Sequence, residues 1–535
     1  MIQISQLKLH IDHKEEDLKL KIIKMLKINQ NDLLQYKIVK KSIEARRKKE
    51  ISYVYNVEVA LKGEESLRKK LESNPYVSFG ERNSYDFKPT GTQTLLYPPV
   101  VVGCGPAGLF CGLMLARNGY NPILIERGDN VDDRLLKVEN FWKDNVLDPE
   151  SNVQFGEGGA GTFSDGKLNT MVKDPSGRNR KVLEVLVEKG APEEILYLNK
   201  PHIGTNLLRD VVKEMREEII RLGGQVRFRS CLTDVIIEEE QVKGIELNHG
   251  EILPCQALIL AIGHSARDTF ELLNAKRMKL TPKSFAIGVR IEHPQMLINQ
   301  NQYGDYHNKL PAADYKLTHT ASTGRSVYSF CMCPGGFVVN SSSEEGLLAV
   351  NGMSNHERDE ENANSALIVT VTPNDFPVME KDRQALGGVE FQRMWERKAY
   401  EIGKGFVPVQ LFKDLCNNRD SDKIGHIKPN LKGNYTLANL NNCLPDYIIQ
   451  TIMEGIKAFD KFIPGFADEE APISGVETRT SSPIRMERDE NYLSNIAGIY
   501  PCGEGAGYAG GITSAAIDGI KIFEAIGRLY GPYVK

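Results

Sequence analysis

A glycine-rich segment near residue 100 has the residue types and the spacing of a phosphate-binding turn. In the letters VVVGCGPAG an apolar strand is followed by Gly103, Gly105 and Gly108, and a helix is predicted over Leu109–Asn118. Pro106 and Ala107 of the turn are included in the predicted cofactor site. Gly103 permits a tight turn, Gly105 lets the backbone approach a pyrophosphate, and Gly108 lets the helix pack close to the sheet. The helix N-terminus then offers N–H groups and the positive end of its dipole to the phosphates.

An acidic residue follows at the place that a dinucleotide site requires. The predicted strand Asn121–Ile125 ends in Glu126, 18 residues after Gly108, where a carboxylate can accept hydrogen bonds from ribose hydroxyls. Arg127 comes next and is included in the predicted site. Because strand, glycines, helix and acid arrive in register, a dinucleotide site is favoured over ordinary turn glycines.

The chain beyond this unit resembles two-dinucleotide-binding flavoproteins rather than a plain nicotinamide-binding domain. Gln225–Asn248 is predicted to form a three-strand β-meander, and LILAIGHSA resembles the strand that ends in Ala-Thr-Gly in those proteins, with Ile262 in place of Thr. The resemblance implies FAD, with Leu232 near the adenine and with Ala261 and Gly263 beside the cofactor.

The segment IYPCGEGAGYAGGITSAAIDG resembles the C-terminal motif of the same flavoproteins. By that resemblance, Gly503 and Glu504 would bind the ribityl chain or the pyrophosphate, and Gly511 and Ile512 would open a helix toward the isoalloxazine. A helix N-terminus there favours negative charge on the reduced ring. The alternative is a glycine-rich loop that leads into a packing helix.

A third segment, FGEGGAGTFSDGKLNT, has four glycines within seven residues and then polar side chains. Such a loop suits a backbone that passes close to a planar ligand. Together with MCPGGFVVNSSSEEGLLAVNGMS and the C-terminal motif, it resembles an uncharacterised bacterial family of FAD-dependent dehydrogenases, distantly related to fumarate reductases and aromatic hydroxylases. The resemblance covers nearly the whole chain. It implies FAD, a cytoplasmic location and redox chemistry, without naming a substrate.

The family resemblance also implies which residues lie near the reacting part of the flavin. The residues that would line its dimethylbenzene and N5 side are Gly159, Ala160, Gly161 and Thr162. Lys167 would lie near the reacting face, where it could stabilise negative charge on the reduced ring or bind an anionic substrate; a surface cation is the alternative. Asp165 is interpreted as a turn residue that precedes Gly166.

The letters IGVRIEH supply two further candidate catalytic residues, Arg290 and His293. The segment would place Arg290, Glu292 and His293 close together, with Arg290 and Glu292 on one face of a strand. Such a set can bind a carboxylate and move a proton. A structural ion pair with a surface histidine is the alternative.

Three other residues have two open interpretations each. Cys331 and Cys333 could exchange electrons with a flavin as a disulfide, although buried small apolar side chains are favoured. Arg479 precedes three hydroxyl residues in VETRTSSPIR. That composition suits contact with an anion or a flavin phosphate, and a hydrophilic loop is the alternative.

Composition excludes several classes of protein and of site. The nine cysteines include no C-x-x-C pair and no cluster at metal-ligand spacing, so no metal site is expected. No second G-x-G-x-x-G follows a strand, so either NAD(P)H docks transiently as the electron donor or the electrons come from another donor. The chain begins without a secretory signal and has no unbroken apolar span, so a cytoplasmic protein without membrane contact is expected.

The first 95 residues differ in charge from the rest of the chain. They carry a net charge of +6, against −4 for the whole chain, and include the basic run Arg46–Lys49. A solvated face is the favoured interpretation and nucleic-acid contact is the alternative. The oligomeric state is left open by the sequence.

These elements predict an α/β fold with a three-layer Rossmann-type FAD-binding domain. The predicted boundaries give a small basic α/β module of ferredoxin-like type over 1–95, the FAD-binding domain over 96–280 and 461–535, and an inserted α+β substrate-side domain over 281–460. The expected function is hydride transfer between flavin N5 and a small organic substrate, by a dehydrogenase or reductase. The alternative is a flavin-dependent nucleic-acid-modifying or redox-sensing protein that uses the basic module.

Overall fold

The computed structural model describes residues 2–48, 50–80 and 84–533. Lys49 of the basic run therefore lies outside the described residues. The fold is mixed α/β with both parallel and antiparallel sheets, as expected at that level. The domain boundaries at residues 95, 280 and 460 stay predictions. Among the described residues, none of the helices combines the length and the apolar character that a membrane crossing requires.

The N-terminal part is a four-stranded antiparallel sheet with two helices. Its elements are β1 (Ile2–His10), α1 (Glu15–Leu26), β2 (Leu33–Glu44), β3 (Ser52–Leu61), α2 (Glu64–Leu71) and β4 (Val77–Phe79). The strand order is β2-β3-β1-β4, which is the order of the split βαββαβ ferredoxin-like arrangement. The predicted pairing of Tyr36–Ile43 with Ser52–Leu61 is confirmed, since β2 pairs with β3 from Leu33 opposite Leu61 to Glu44 opposite Ser52.

A parallel sheet carries the first glycine turn. The elements of this region are β5 (Val100–Val102), α3 (Pro106–Arg117), β6 (Ile123–Ile125), α4 (Val131–Asp144), α5 (Arg178–Glu188), α6 (Thr205–Arg221), β7 (Gln225–Arg227), β8 (Leu232–Glu238), β9 (Gln241–Leu247), β10 (Glu251–Pro254), β11 (Leu258–Leu260), α7 (Arg267–Ala275) and β12 (Leu280–Pro282). Side chains alternate across the sheet. Val101 and Leu124 pack against the helices, whereas Val100 and Ile125 pack against the antiparallel strands β8, β9 and β10.

The predicted meander over Gln225–Asn248 is wrong in its first strand. β7 pairs in parallel with β6 and so belongs to the central sheet, because α6 carries the chain back across that sheet before β7 begins. The antiparallel meander is formed by β8, β9 and β10. The sequence analysis did not predict β10.

The region after β12 is built on a larger sheet. Its elements are β13 (Phe285–Pro294), α8 (Gln295–Tyr303), β14 (Thr318–Thr320), β15 (Ser326–Cys333), β16 (Phe337–Asn340), β17 (Val350–Met353), β18 (Asn362–Val371), α9 (Gly387–Gly403), β19 (Val407–Leu411), α10 (Phe412–Cys416), β20 (Leu431–Lys432), β21 (Tyr435–Leu437), α11 (Asp446–Phe459) and β22 (Pro472–Glu477). The seven-stranded sheet has the order β14-β15-β18-β13-β22-β19-β21, and a three-stranded sheet has the order β17-β16-β20.

The chain then returns to the parallel sheet. The last elements are β23 (Ile484–Met486), β24 (Ile499–Pro501) and α12 (Ile512–Leu529). β24 pairs with β11, so the parallel sheet has the order β24-β11-β5-β6-β7. The turn after β24 therefore lies at the same edge of the sheet as the turn after β5, since the carboxyl ends of parallel strands meet at one edge.

The N-terminal part contacts the rest of the chain through backbone hydrogen bonds. Lys41 of β2 donates to Tyr197 O at 2.7 Å and accepts from Asn199 N at 2.9 Å. The same stretch of chain continues to Ile203, whose N–H donates to Gly166 O at 3.1 Å, and Leu168 N–H donates to Pro201 O at 3.0 Å. Residues 197–203 thus lie between β2 and the segment that carries Lys167.

Candidate functional site

The first glycine turn has the geometry that its spacing predicts. Gly103 has φ +100°, and a Cβ at Gly103 would lie 2.4 Å from Ala261 O. A Cβ at Gly108 would lie 1.9 Å from Gly103 O, so α3 can pack this closely only with glycine there. A Cβ at Gly105 would meet only Gly159 Cα, at 3.8 Å. The turn is therefore closed on its protein side and open at Gly105, and α3 begins at Pro106 without a side-chain cap.

Glu126 is buried beside this turn and is tied to three backbone groups. Its Oε2 accepts the Cys104 N–H at 2.8 Å, and its Oε1 accepts the N–H groups of Gly128 at 3.0 Å and Gly156 at 2.9 Å. A carboxylate offers about four lone-pair positions, so one acceptor position remains. This position fits the hydroxyl of a ribose, as the sequence analysis expects.

Arg127 is engaged by neighbouring carboxylates. Its guanidinium donates to Glu150 at 2.9 Å and to Asp268 at 3.0 Å, and it lies over the ring of Phe155 at 4.3 Å. Any contact between Arg127 and a cofactor phosphate would compete with these two ion pairs. The predicted cofactor role of Arg127 stays a prediction.

The C-terminal turn is held by a buried acid from the helix that follows it. Asp518 Oδ2 accepts the Gly503 N–H at 2.7 Å, and the same carboxylate binds Arg488 with both oxygens. Burial raises the pKa of Glu504 to about 7, and the Gly511 N–H and the Lys283 ammonium oppose that shift. Glu504 therefore exchanges a proton near neutral pH.

Open space lies against the backbone of three glycines in this region. A Cβ at Gly263, Gly510 or Gly511 would meet no atom within 4 Å. By contrast, a Cβ at Gly505 would lie 2.4 Å from Gly263 O. The backbone is thus packed on one side and bare on the other, which is the arrangement that a flat ligand lying against main chain requires. These residues fit the FAD that the sequence analysis expects.

The loop predicted to face the flavin meets both turns. Residues Gly159–Phe163 form a short 3-10 turn. A Cβ at Gly159 would lie 3.0 Å from Gly105 Cα, and a Cβ at Gly161 would lie 3.1 Å from Ile512 Cγ1. The three segments singled out in the sequence therefore converge. Thr162 is buried, and its hydroxyl donates to Glu157 O at 3.4 Å, so its side chain faces the protein.

Leu232 and Ala261 both lie in the interior of the molecule. Leu232 is buried at the start of β8, between the meander and the parallel sheet. Ala261 N–H donates to Val102 O at 2.9 Å, which fixes the turn after β11 against β5. Their contacts with a cofactor stay predictions.

Arg479 belongs to a buried ion-pair network. It donates to Glu396 at 2.8 Å and to Ser343 Oγ, and Arg267 donates to the same carboxylate at 2.7 Å. This network accounts for the arginine without a flavin phosphate, whose contact with Arg479 stays a prediction. The network also acts on His264, whose pKa is lowered to about 4 by burial and by the charges of Arg479 and Arg267.

Lys167 lies in a cluster of paired charges. Its ammonium donates to Met332 O and lies 3.5 Å from Asp165 Oδ2, and Arg358 binds the same carboxylate through two hydrogen bonds. Burial raises the pKa of Asp165, but the charges of Lys167 and Arg358 hold it below its ordinary value. The interpretation of Asp165 as a turn residue is wrong, because both of its oxygens are bound by cations.

Arg290 is buried and neutralised. Its guanidinium binds Glu477 at 2.6 Å and donates to Asn364 at 2.7 Å and to Asn351 at 3.0 Å. Glu292 lies on the same face of β13 and accepts hydrogen bonds from Asn362 at 3.0 Å and from the Asn430 N–H at 2.8 Å. These contacts match the alternative interpretation, in which Arg290 forms a structural ion pair. A catalytic role of Arg290 stays a prediction, and these contacts give it no support because they occupy the guanidinium donors.

His293 does not join Arg290, and the expectation that the two lie close together is wrong. Successive residues of a strand face opposite sides of a sheet, so His293, three residues after Arg290, faces the other side, where it packs against Phe466 at 4.3 Å between ring centroids. Its Nε2 donates to Phe466 O at 2.7 Å. Burial lowers the pKa of His293 to about 4, so the ring is neutral and fully inside the protein.

The two cysteines of the C-x-C segment differ in exposure. Cys333 is buried, as favoured from the sequence, but Cys331 is exposed. The pairing of β15 with β18 is interrupted between Phe330 and Cys333, and Cys331 has φ +40°, so its side chain leaves the regular alternation.

Three residues of the site were not found from the sequence. Arg134 contacts the flavin-facing loop, and its helical spacing with Val131, Val138 and Phe141 on the buried face of α4 is a signal that could have revealed it. His264 follows the open Gly263 directly, and Lys283 acts on Glu504. The surroundings of His264 and Lys283 depend on segments far away in sequence, so no local pattern marks them.

The fold and the site together define a mixed α/β protein with a dinucleotide-type turn and two further glycine-rich segments gathered at one edge of a parallel sheet. A family model described as FAD-dependent protein, C-terminal domain-like, matches residues 284–480, and a domain of unknown function, DUF8436, matches residues 1–60. A Clostridium beijerinckii protein, described as uncharacterized, is 50% identical over 531 residues, which are 98% of each chain. The chain belongs to the family of that clostridial protein. The matched model supports FAD as the cofactor.

Solved flavoenzymes overlap with the chain at low similarity. CtdE in complex with FAD is 13% identical, with a TM-score of 0.33 over 81% of this chain and 84% of that chain. Glycine oxidase from Bacillus cereus ATCC 14579 is 11% identical, with a TM-score of 0.33 over 80% and 94%. Quinol fumarate reductase FrdA from E. coli is 10% identical, with a TM-score of 0.34 over 82% and 70%. At these scores the likeness says nothing about the reaction.

Proposed function

We propose that the chain is an FAD-dependent oxidoreductase, a dehydrogenase or reductase in which a hydride passes between flavin N5 and a small organic substrate. The observation that carries the proposal is the bare backbone at Gly263, Gly510 and Gly511, beside the turn at Gly105. A planar cofactor can lie against main chain only where no side chain stands in its way. The match of residues 284–480 to an FAD-dependent family model supports this choice of cofactor.

Each glycine-rich segment has a distinct binding role in the proposal. The turn at Gly105 and the N-terminus of α3 bind the pyrophosphate, and the remaining acceptor position of Glu126 takes a ribose hydroxyl. Glu504, with its near-neutral pKa, can accept from or donate to the ribityl chain. These roles use backbone N–H groups and carboxylates that the fold already holds in place.

The chemistry itself comes from the cofactor, since bound FAD supplies two-electron hydride transfer. Lys167 is the candidate residue of this chain beside the reacting face. Its side chain is 30% exposed and is anchored by Met332 O and Asp165, so its charge is held in place. A fixed cation there would stabilise negative charge on a reduced flavin or on an anionic substrate. NAD(P)H as a transient electron donor and a cytoplasmic location are part of the same proposal.

The first test is the anaerobic visible spectrum of the purified protein, before and after NADPH and then NADH. We expect flavin absorption bands, and bleaching by either nucleotide would identify a nicotinamide-driven reductase. A yellow protein that neither bleaches would be a dehydrogenase reduced by its own substrate or by another donor. A colourless protein that takes up no added FAD would refute the proposal.

The second test uses a matched pair of glycines. Gly510 and Gly250 both lack strained φ angles, and a Cβ at either would meet no atom within 4 Å. We expect Gly510→Leu to fold but to lose FAD, because its side chain would fill the cofactor space. Gly250→Leu, in the turn between β9 and β10, should keep FAD. Equal retention of FAD by both variants would contradict the placement of the site.

A further inference from the structure

Arg134 donates hydrogen bonds to backbone carbonyls of residues 152–159, which lead into and begin the flavin-facing loop. It is completely buried in α4. Its Nε donates to Asn152 O at 2.9 Å, its Nη2 to Val153 O at 3.0 Å, and its Nη1 to three carbonyls. The acceptors of Nη1 are Gly156 O at 3.3 Å, Glu157 O at 2.6 Å and Gly159 O at 3.0 Å. One guanidinium therefore fixes the loop over 152–159 through five carbonyls.

Among the described residues, none of the carboxylates binds the Arg134 guanidinium directly. Glu126 and Glu157 act on it through space, but the oxygens of Glu126 accept backbone N–H groups, and Glu157 Oε2 accepts the Val131 N–H at 2.8 Å and lies 3.4 Å from Arg216. Burial lowers the pKa of Arg134 to about 10, so the group remains a cation at neutral pH. Burying a cation without an ion pair lowers the stability of the folded state. An apolar side chain at this position of α4 would avoid that loss of stability.

The orientation of the loop peptides follows from these bonds. In a trans peptide the C=O and the N–H point in opposite directions, so carbonyls turned toward Arg134 send the next N–H groups away from it. Three of these have protein acceptors, since Gln154 N–H donates to Asn152 Oδ1 at 2.9 Å, Glu157 N–H to Asp129 O at 3.0 Å and Gly158 N–H to Cys104 O at 2.8 Å. The Ala160 N–H belongs to the peptide whose carbonyl, Gly159 O, accepts from Arg134 Nη1, so it also points away from the guanidinium.

We propose that Arg134 is a positioning residue for the cofactor, which aims the Ala160 N–H at the flavin and raises the reduction potential of the bound flavin. The inference rests on the proposed function, because it requires FAD beside residues 159–162. The physical reason is that an aligned peptide dipole backed by a fixed cation favours negative charge on its N–H side, and a reduced flavin carries more negative charge than an oxidised one. Phe163, whose ring lies 4.8 Å from the guanidinium, closes the far side of Arg134.

The test compares three variants of the full chain loaded with FAD: Arg134→Met, Arg134→Lys and Arg216→Met. The midpoint potential of the flavin and the Kd for FAD are measured for each. Arg134→Met should lower the potential and weaken FAD binding about tenfold or more, since several hydrogen bonds to a charged group are lost. Arg134→Lys keeps the positive charge but not the planar guanidinium. Its flavin midpoint potential should therefore lie closer to the wild-type value than its affinity for FAD does.

Arg216→Met is the matched control, because it removes a cation that lies near Glu157 without contacting the loop carbonyls. An unchanged potential in Arg134→Met, or an equal drop in Arg216→Met, would overturn the inference. If Arg134→Met does not fold, Arg134→Lys decides, and wild-type affinity together with wild-type potential in that variant would overturn it. Failure of the wild type to bind FAD would instead refute the proposed function.

Discussion

Glu292 is a buried carboxyl that forms no ion pair with any of the residues that the structure describes. Burial raises its pKa to about 7, and the hydrogen bonds from Asn362 and Asn430 and the charge of Arg290 only partly oppose this shift. Because its pKa in the folded state lies above the ordinary value, the folded state binds more protons than the unfolded state between about pH 4.5 and pH 7. Ionisation of Glu292 therefore destabilises the fold as the pH rises through this window.

Glu292→Gln should remove this pH dependence. We expect the free energy of unfolding of the wild type, relative to the variant, to fall by roughly 1–3 kcal/mol between pH 5 and pH 8. Urea titrations of both proteins at a series of pH values measure the difference. The buried histidines titrate in both proteins, so the comparison cancels their contribution. Glu345→Gln, at an exposed position, serves as the control. If the difference in free energy of unfolding from the wild type does not change with pH for either variant, the raised pKa of Glu292 is contradicted.

The candidate site was partly predictable at the scale of residues. The roles of Gly103 and Gly108 follow from spacing alone, because the strand, turn and helix that they serve are adjacent in sequence. Arg134 was predictable in principle from its helical spacing. The partners of Asp165 and Arg290 were not, because Arg358 and Glu477 reach them only after the chain has crossed several sheets.

At the scale of elements, Asp518 of α12 accepts the Gly503 N–H of the turn after β24 and forms a buried ion pair with Arg488. Asp518 and Arg488 are less than 10% exposed at their side chains, and Arg488 also lies over Tyr508 at 3.8 Å. The carboxylate therefore serves both the turn after β24 and the charge of Arg488. Its loss would leave that charge buried and unpaired.

Asp518→Asn should destabilise the protein by about 3–5 kcal/mol, the usual cost of removing one partner of a buried ion pair. It should also weaken FAD binding, because the Gly503 N–H loses a charged acceptor. Urea unfolding and FAD titration measure the two effects. Arg528→Ala, on the same helix but 54% exposed at its side chain, should cost less than about 1 kcal/mol. Similar losses in both variants would show that the buried pair has no special role.

Local pattern predicted the elements whose partners are close in sequence. The β5–α3–β6 unit and the β2–β3 hairpin have such partners, and both were found. The assignment of β7 failed because its length and composition suit either a meander or a parallel strand, and only its pairing with β6 decides. The position of β22 between β13 and β19 is likewise set by strands far along the chain.

At the scale of the whole molecule, the ion pairs around the basic turn help to decide whether the N-terminal part binds nucleic acid. Arg46 lies 3.8 Å from Glu44, Arg47 lies 3.9 Å from Glu50, and Lys8 lies 2.8 Å from Glu44. Carboxylates thus partly neutralise the basic turn. This arrangement favours the solvated-face interpretation of the first 95 residues.

We therefore expect no RNA retention that depends on this turn. Filter binding at about 50 mM and about 200 mM salt should give the same weak signal for the wild type and for the double variant Arg46→Ala/Arg47→Ala, because few phosphates would be neutralised. A steep salt dependence that disappears in the double variant would instead support the nucleic-acid alternative.

The contact between β2 and residues 197–199 has a consequence for synthesis on the ribosome. β2 is an edge strand of its sheet, and its outer partner, Leu198, is translated 157 residues after Lys41. During that interval the edge is open to pairing with other nascent chains. Lys37, Lys40 and Lys41 stand along it, and lysines on an open edge oppose such pairing. Protection of this edge during synthesis is a role for the lysines of β2 that requires no external ligand.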